Sequence, residues 1–246
     1  MLKGLKALGR LLSVLAHVLD GRRTLRKAFP HLSPGERQQA VLAWSRQMLQ
    51  IMGVELHMMG AVPTAGPMLV VSNHISWLDI LVINAVCPAH FVSKSGVRHW
   101  PLVGELVSSA GTLFIERESR RDAMRVVHRM AEHLRGNDIL AVFPEGTTGD
   151  GQTLLPFHAN LIQAAIAAEA PVLPGGLSYV DPVHGRRHDA PLFIGDTTLL
   201  QSLWNTLRAT DVVAVVHYGE PQRAQGRDRR TWAQNLRDAV TALREG

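Results

Sequence analysis

Six short, almost wholly apolar runs, over 68–72, 90–92, 113–115, 139–143, 172–177 and 212–217, punctuate the chain at intervals that leave room for helices between them. Strands of this kind have no polar face to show to water, so both faces of their sheet must be covered. The stretches 120–135 and 159–169 have helical spacing, and 231–244 closes the chain in the same pattern. Alternation of buried strands with helices predicts an α/β fold: a single domain with a mostly covered central sheet flanked by helices. At 246 residues and 46% apolar composition the chain is long enough to enclose one substantial core. Cys87 is the only cysteine, which excludes an intramolecular disulfide and the usual cysteine zinc sites and fits a reducing compartment.

The front of the chain differs from the rest. Residues 1–60 hold nine Lys or Arg against Asp20, Glu36 and Glu55, a net of +6, so the remainder sums to −1 of the total +5. Leu2, Leu5, Leu8, Leu11, Leu12, Leu15, Val18 and Leu19 recur at steps of three and four, with Lys3, Lys6 and Arg10 between them. That is the pattern of an amphipathic helix. Such a helix either lies in a lipid interface with its cations on anionic headgroups or packs on the globular body. The apolar run over 11–19 is nine residues long, too short to span a bilayer, and no small-residue cleavage pattern follows it. Ser33-Pro34-Gly35-Glu36 reads as a cap opening a second helix to about Met52. The expected organisation is a basic two-helix, membrane-associating segment over 1–52 and an α/β domain over 53–246.

The densest chemistry is Asn73-His74-Ile75-Ser76-Trp77-Leu78-Asp79, placed where the first buried run ends. Sites in α/β sheets gather beyond the carboxyl ends of strands. Imidazole is the side chain best matched to accept a hydroxyl proton near neutral pH, and Asp79 is placed to hold one ring nitrogen while the other faces an acceptor. Ser76-x-x-Asp79 also has the spacing of a helix cap, and both roles can coexist. A helix opening there would present free amides to a developing oxyanion.

Downstream, Gly111-Thr112-Leu113-Phe114-Ile115-Glu116-Arg117, Phe143-Pro144-Glu145-Gly146-Thr147-Thr148 and Val172-Leu173-Pro174-Gly175-Gly176 follow in order. With the first cluster they resemble the four ordered blocks of the glycerolipid acyltransferases of the 1-acylglycerol-3-phosphate type, over roughly residues 53–220. The resemblance implies His74 as general base and Asp79 as its orienting partner. It implies substrate binding by Asn73, Ser76, Lys94, Arg117, Glu145, Gly146, Thr147 and Thr148, with Arg117 and the Glu145-Gly146 pair on the acceptor and the block around Pro174 on the donor side. Lys94 matches a family lysine that helps hold an anionic headgroup. It further implies a lysolipid acceptor and acyl-CoA or acyl carrier protein as donor, no cofactor or metal, and a place on the cytoplasmic face of a bacterial inner membrane.

One position departs from the pattern. Members acting on a phosphate headgroup usually carry arginine where this chain has Thr148, and threonine lacks the guanidinium that grips phosphate bidentately. Thr147-Thr148-Gly149-Asp150-Gly151 is similar instead to bacterial members that acylate lyso-ornithine lipid. The resemblance as a whole implies phosphatidic acid made from 1-acyl-sn-glycerol 3-phosphate, and the departure at Thr148 makes lyso-ornithine lipid the alternative acceptor.

Other classes fit less of the sequence. A serine hydrolase needs a G-x-S-x-G elbow, and none occurs. The histidines are scattered and not at zinc-hydrolase spacing. The basic pI of about 10.0 arises from the helical front and no nucleic-acid motif accompanies it, so no nucleic-acid partner is expected. A non-catalytic membrane lipid-binding protein would explain that front but not His74 with Asp79.

Overall fold

The computed structural model describes residues 2–115 and 120–245. Among these, seven strands form one sheet in the order β1 (Val54–Met59), β7 (Val212–Tyr218), β6 (Val172–Val180), β2 (Met68–Ser72), β5 (Ile139–Val142), β3 (His90–Lys94) and β4 (Leu113–Ile115). Neighbours run parallel except β6 and β7, which are antiparallel. The helices are α1 (Leu2–Lys27), α2 (Pro34–Met52), α3 (Leu78–Asn84), α4 (Val103–Ser109), α5 (Arg120–Arg135), α6 (Ala159–Ala167), α7 (Leu199–Arg208) and α8 (Arg229–Glu245).

Period-two alternation explains why the inner strands are apolar throughout. In β2, Val70 enters the cluster built with α1, α2, α3 and α7, while Leu69 and Val71 enter the one built with α5, α6 and α8. β1 escaped the sequence reading because it is an edge strand: only Val54 is buried, and Glu55 and Met58 are exposed. Between β2 and β5, and again between β2 and β6, each strand has a fully covered neighbour, so the carboxyl end of β2 opens at the middle of the sheet.

The two N-terminal helices are built as expected and integrated into the body. Ser33 and Glu36 form a reciprocal capping box at the start of α2, Pro34 stands in its first turn, and Gly53 closes it in the left-handed region at φ 74°. Ala7, Val14 and Val18 of α1 and Met48, Leu49 and Met52 of α2 belong to the same buried cluster as β2 and β7. Arg10 donates to the carbonyls of Leu207 and Ala209, satisfying acceptors that the end of α7 leaves open. Arg22 and Arg26 clasp Glu105 of α4 at 2.8 Å each. The opposite face of α1 carries an exposed row, Leu5, Leu8, Leu12, Leu15 and Leu19. No helix among the described residues is long and apolar enough to cross a membrane.

Candidate active site

Where β2 ends, the chain is tied down residue by residue. The amide of Asn73 makes a reciprocal pair with the Leu177 backbone on β6, at 2.9 and 2.7 Å. His74 N–H donates to Glu145 Oε1 at 2.7 Å, and Gly149 N–H donates to the His74 carbonyl at 2.8 Å. The imidazole lies flat on Phe143, centroids 4.0 Å apart and planes within 5°. Its Nδ1 is 2.8 Å from Asp79 Oδ2. A carboxylate only accepts, so Nδ1 carries the proton and Nε2 is left with its lone pair. The His74 side chain keeps 18% of its surface exposed whereas Asp79 keeps none, so the imidazole can meet an incoming group and the carboxylate cannot.

Asp79 accepts four hydrogen bonds. Besides His74, Oδ2 takes the amides of Ile75 and Ser76 at 2.7 and 2.9 Å, and Oδ1 takes the phenol of Tyr179 at 2.7 Å. Thus Asp79 fixes the turn before α3 and orients the His74 ring at once. The Ser76 hydroxyl accepts from Leu78 N–H, and its carbonyl from Asp79 N–H. The expectation of open amides at this helix start is therefore not met for Ile75, Ser76, Leu78 or Asp79, whose N–H groups are all occupied.

Glu145, 5% exposed, divides its carboxylate between His74 N–H and Leu155 N–H, 2.8 Å away. Burial pushes its pKa above the usual carboxyl range, against the pull of those two amides. Gly146 adopts φ 71°, a left-handed turn that glycine enters at little cost, and its N–H returns to the Phe143 carbonyl. Thr147 is exposed beside it. The Thr148 hydroxyl donates to the Phe193 carbonyl, and Phe193 N–H in turn donates to Ile75, closing a strap over the motif. Lys94 is exposed at the carboxyl end of β3. Arg117 lies outside the described residues. No group of three His, Cys, Asp or Glu among the described residues is placed to hold a metal ion.

Two parts of the site had escaped the sequence reading. One is Tyr179, 1% exposed, whose phenol is pushed well above its ordinary range by burial and by the Asp79 charge, and so stays a donor. The other is a cavity of about 290 Å³ between α1, α2, α3, α4 and α7. Val18, Trp44, Met48, Trp77, Phe91 and Leu203 are among its walls. It approaches His74 through two rings: Phe91 lies 5.8 Å from Phe143, which is stacked on the imidazole. Trp77, inside the motif, was the signal available for it.

Three comparisons bear on this geometry. The family model described as Acyltransferase matches residues 53–178. A lyso-ornithine lipid O-acyltransferase of Pseudomonas aeruginosa is 38% identical over 83% of this chain and 78% of its own length. A 1-acyl-sn-glycerol-3-phosphate acyltransferase of Neisseria gonorrhoeae is 33% identical over 85% and 82%. The crystal structure of the 1-acyl-sn-glycerophosphate acyltransferase PlsC from Thermotoga maritima shares the fold, with a TM-score of 0.71 over 98% of this chain and 96% of that chain at 19% identity.

Proposed function

The chain belongs to the glycerolipid acyltransferase family, and from that premise we propose that it moves a fatty acyl group from a thioester to the free hydroxyl of a lysolipid, with His74 as base. The observation that carries this reading is the His74–Asp79 pair, in which Nδ1 is committed and Nε2 is not. The acceptor O–H gives its proton to Nε2 while its oxygen bonds to the thioester carbonyl carbon. Collapse of the tetrahedral adduct breaks the C–S bond, and the departing thiolate takes the proton back from the imidazolium. Asp79 remains an anion throughout and steadies the charged ring. The acyl group passes directly from donor to acceptor, so His74 needs no nucleophile of the protein beside it. Acyl-CoA or acyl carrier protein supplies the thioester.

Asn73, Ser76 and Glu145 serve this reading as positioning residues, since their side-chain acceptors already hold backbone amides. Thr147, Lys94 and Arg117 are left to meet the acceptor. The preferred acceptor is lyso-ornithine lipid: Thr148 spends its hydroxyl on Phe193 and offers no cation to a phosphate, and the Pseudomonas relative bears that name. Lysophosphatidic acid is the second reading, favoured by Lys94 at the same end of the sheet and by the Neisseria relative. The apolar cavity suits an acyl chain, and the leucine row of α1 suits a lipid interface, which on this reading is the cytoplasmic leaflet.

The test is acyl transfer by purified protein on vesicles holding either acceptor, with His74→Ala as control. Turnover should fall at least about a thousandfold in the variant. Activity near the wild-type rate in His74→Ala would refute the mechanism, and turnover of lysophosphatidic acid alone would reverse the order of acceptors.

A further inference from the structure

The hydrogen-bond chain does not stop at Asp79. Tyr179 stands on β6, one hundred residues away in sequence, and its hydroxyl reaches Asp79 Oδ1 at 2.7 Å inside the protein. The other oxygen, Oδ2, faces His74, Ile75 and Ser76. We infer that Tyr179 is a positioning residue for acyl transfer, setting through Asp79 both the orientation and the proton affinity of His74. This rests on the reading of His74 as the base.

The argument is one of charge placement. A carboxylate shares one negative charge between two oxygens, and a donor on Oδ1 draws part of it away from the oxygen that faces the imidazole. Remove that donor and more charge faces the ring, so the ring holds its proton more tightly and is a free base over a narrower range of pH. The same donor blocks rotation of the carboxylate, which is otherwise held from one side. Among the described residues the other charged group against the pair is Glu145, which follows β5. One step further out on the 149–151 loop stands Asp150, with Arg187 and Arg244 near it. From α7 the motif receives only the uncharged contact between Trp77 and Ser202. Tyr179 is thus the neutral group through which the charge on Asp79 can be tuned without adding a second charge.

The chain contains only two tyrosines, Tyr179 and Tyr218, which permits a precise test. In Tyr179→Phe, kcat should fall about tenfold with KM nearly unchanged, and the acid limb of the kcat/KM profile should move up by about half a pH unit. Fluorotyrosine incorporated into a Tyr218→Phe background labels position 179 alone and makes it a stronger donor. The acid limb should then move down, and the fluorine resonance should titrate with His74 and cease to do so in His74→Ala. A wild-type profile in Tyr179→Phe, or an acid limb that moves the same way in Tyr179→Phe and in the fluorotyrosine protein, would overturn the inference. If Tyr179→Phe does not fold, the fluorotyrosine protein decides alone: an unmoved limb and a resonance indifferent to His74 would overturn it. Absence of acyl transfer by the wild type, or equal activity in His74→Ala, would instead remove the base assignment on which the inference stands.

Discussion

At the residue scale the site is a set of commitments made by buried polar atoms. Asp79 to Asn deserves the largest penalty, because an amide nitrogen would face at least one of four donors that now meet oxygen. The expected loss in kcat is about 10⁴-fold, the scale of the equivalent change in a His–Asp pair, with about 2–4 kcal/mol lost in denaturant unfolding. Tyr218 is the contrasting case. Its hydroxyl is buried without a partner among the described residues, and burial raises the phenol well above its ordinary pKa. Tyr218→Phe should therefore be neutral or raise the melting temperature by about 2–4 °C with activity unchanged, as calorimetry would show. These cases also mark what could be read without a structure. His74 and Asp79 lie five positions apart, so the spacing alone put them in reach. Tyr179 carries no local signal, because its partner is brought to it by the pairing of β6 with β2.

At the element scale, strands buried on both faces and long helices were the legible parts. The runs 68–72 and 113–115 coincide with β2 and β4, and the helical stretch 120–135 with α5. β1 was missed for its solvent-facing residues and α4 because seven residues make no clear period, whereas the start of α3 was signalled by Ser76-x-x-Asp79. α7 did carry a signal, the Thr198–Gln201 capping box at its start. Of the two alternatives for α1, packing on the body is observed through Val14 and Val18, and the leucine row is left exposed on the other face. Leu12→Glu together with Leu15→Glu should leave melting unchanged and weaken flotation with vesicles. Loss of fold would mean the row is packing surface. The clasp of Arg22 and Arg26 on Glu105 sets a pH limit on the same helix. The two guanidiniums hold Glu105 at about 2 in place of 4.5. A depressed carboxyl contributes stability above its ordinary value and loses it as pH falls through the folded one. Hydrogen exchange should accordingly show the carboxyl-terminal half of α1 losing protection as pH drops from 4.5 towards 2.

At the scale of the whole molecule, an apolar cavity of about 290 Å³ lies between the sheet and its N-terminal helices, linked to His74 through the rings of Phe91 and Phe143, while the strap through Phe193 crosses the motif. On the proposed function, that arrangement would separate two selections. Chain length would be read inside, among Val18, Trp44 and Leu203, where each methylene excluded forfeits about 0.8 kcal/mol, roughly fourfold in binding. The headgroup would be read outside, near Thr147 and Lys94, and there a single side chain can change the preference because charge on phosphate is worth more than a methylene. Thr148→Arg replaces a hydroxyl tied to Phe193 with a planar cation free to reach the acceptor. It should raise kcat/KM for lysophosphatidic acid by about tenfold relative to lyso-ornithine lipid, which has no phosphate for the guanidinium to grip. The acyl-chain preference should not move, since position 148 is no part of the cavity wall. A Thr148→Arg protein whose two acceptors respond alike would place headgroup selection elsewhere, on Lys94 and the segment that carries Arg117, and Lys94→Ala is then the substitution that should separate them.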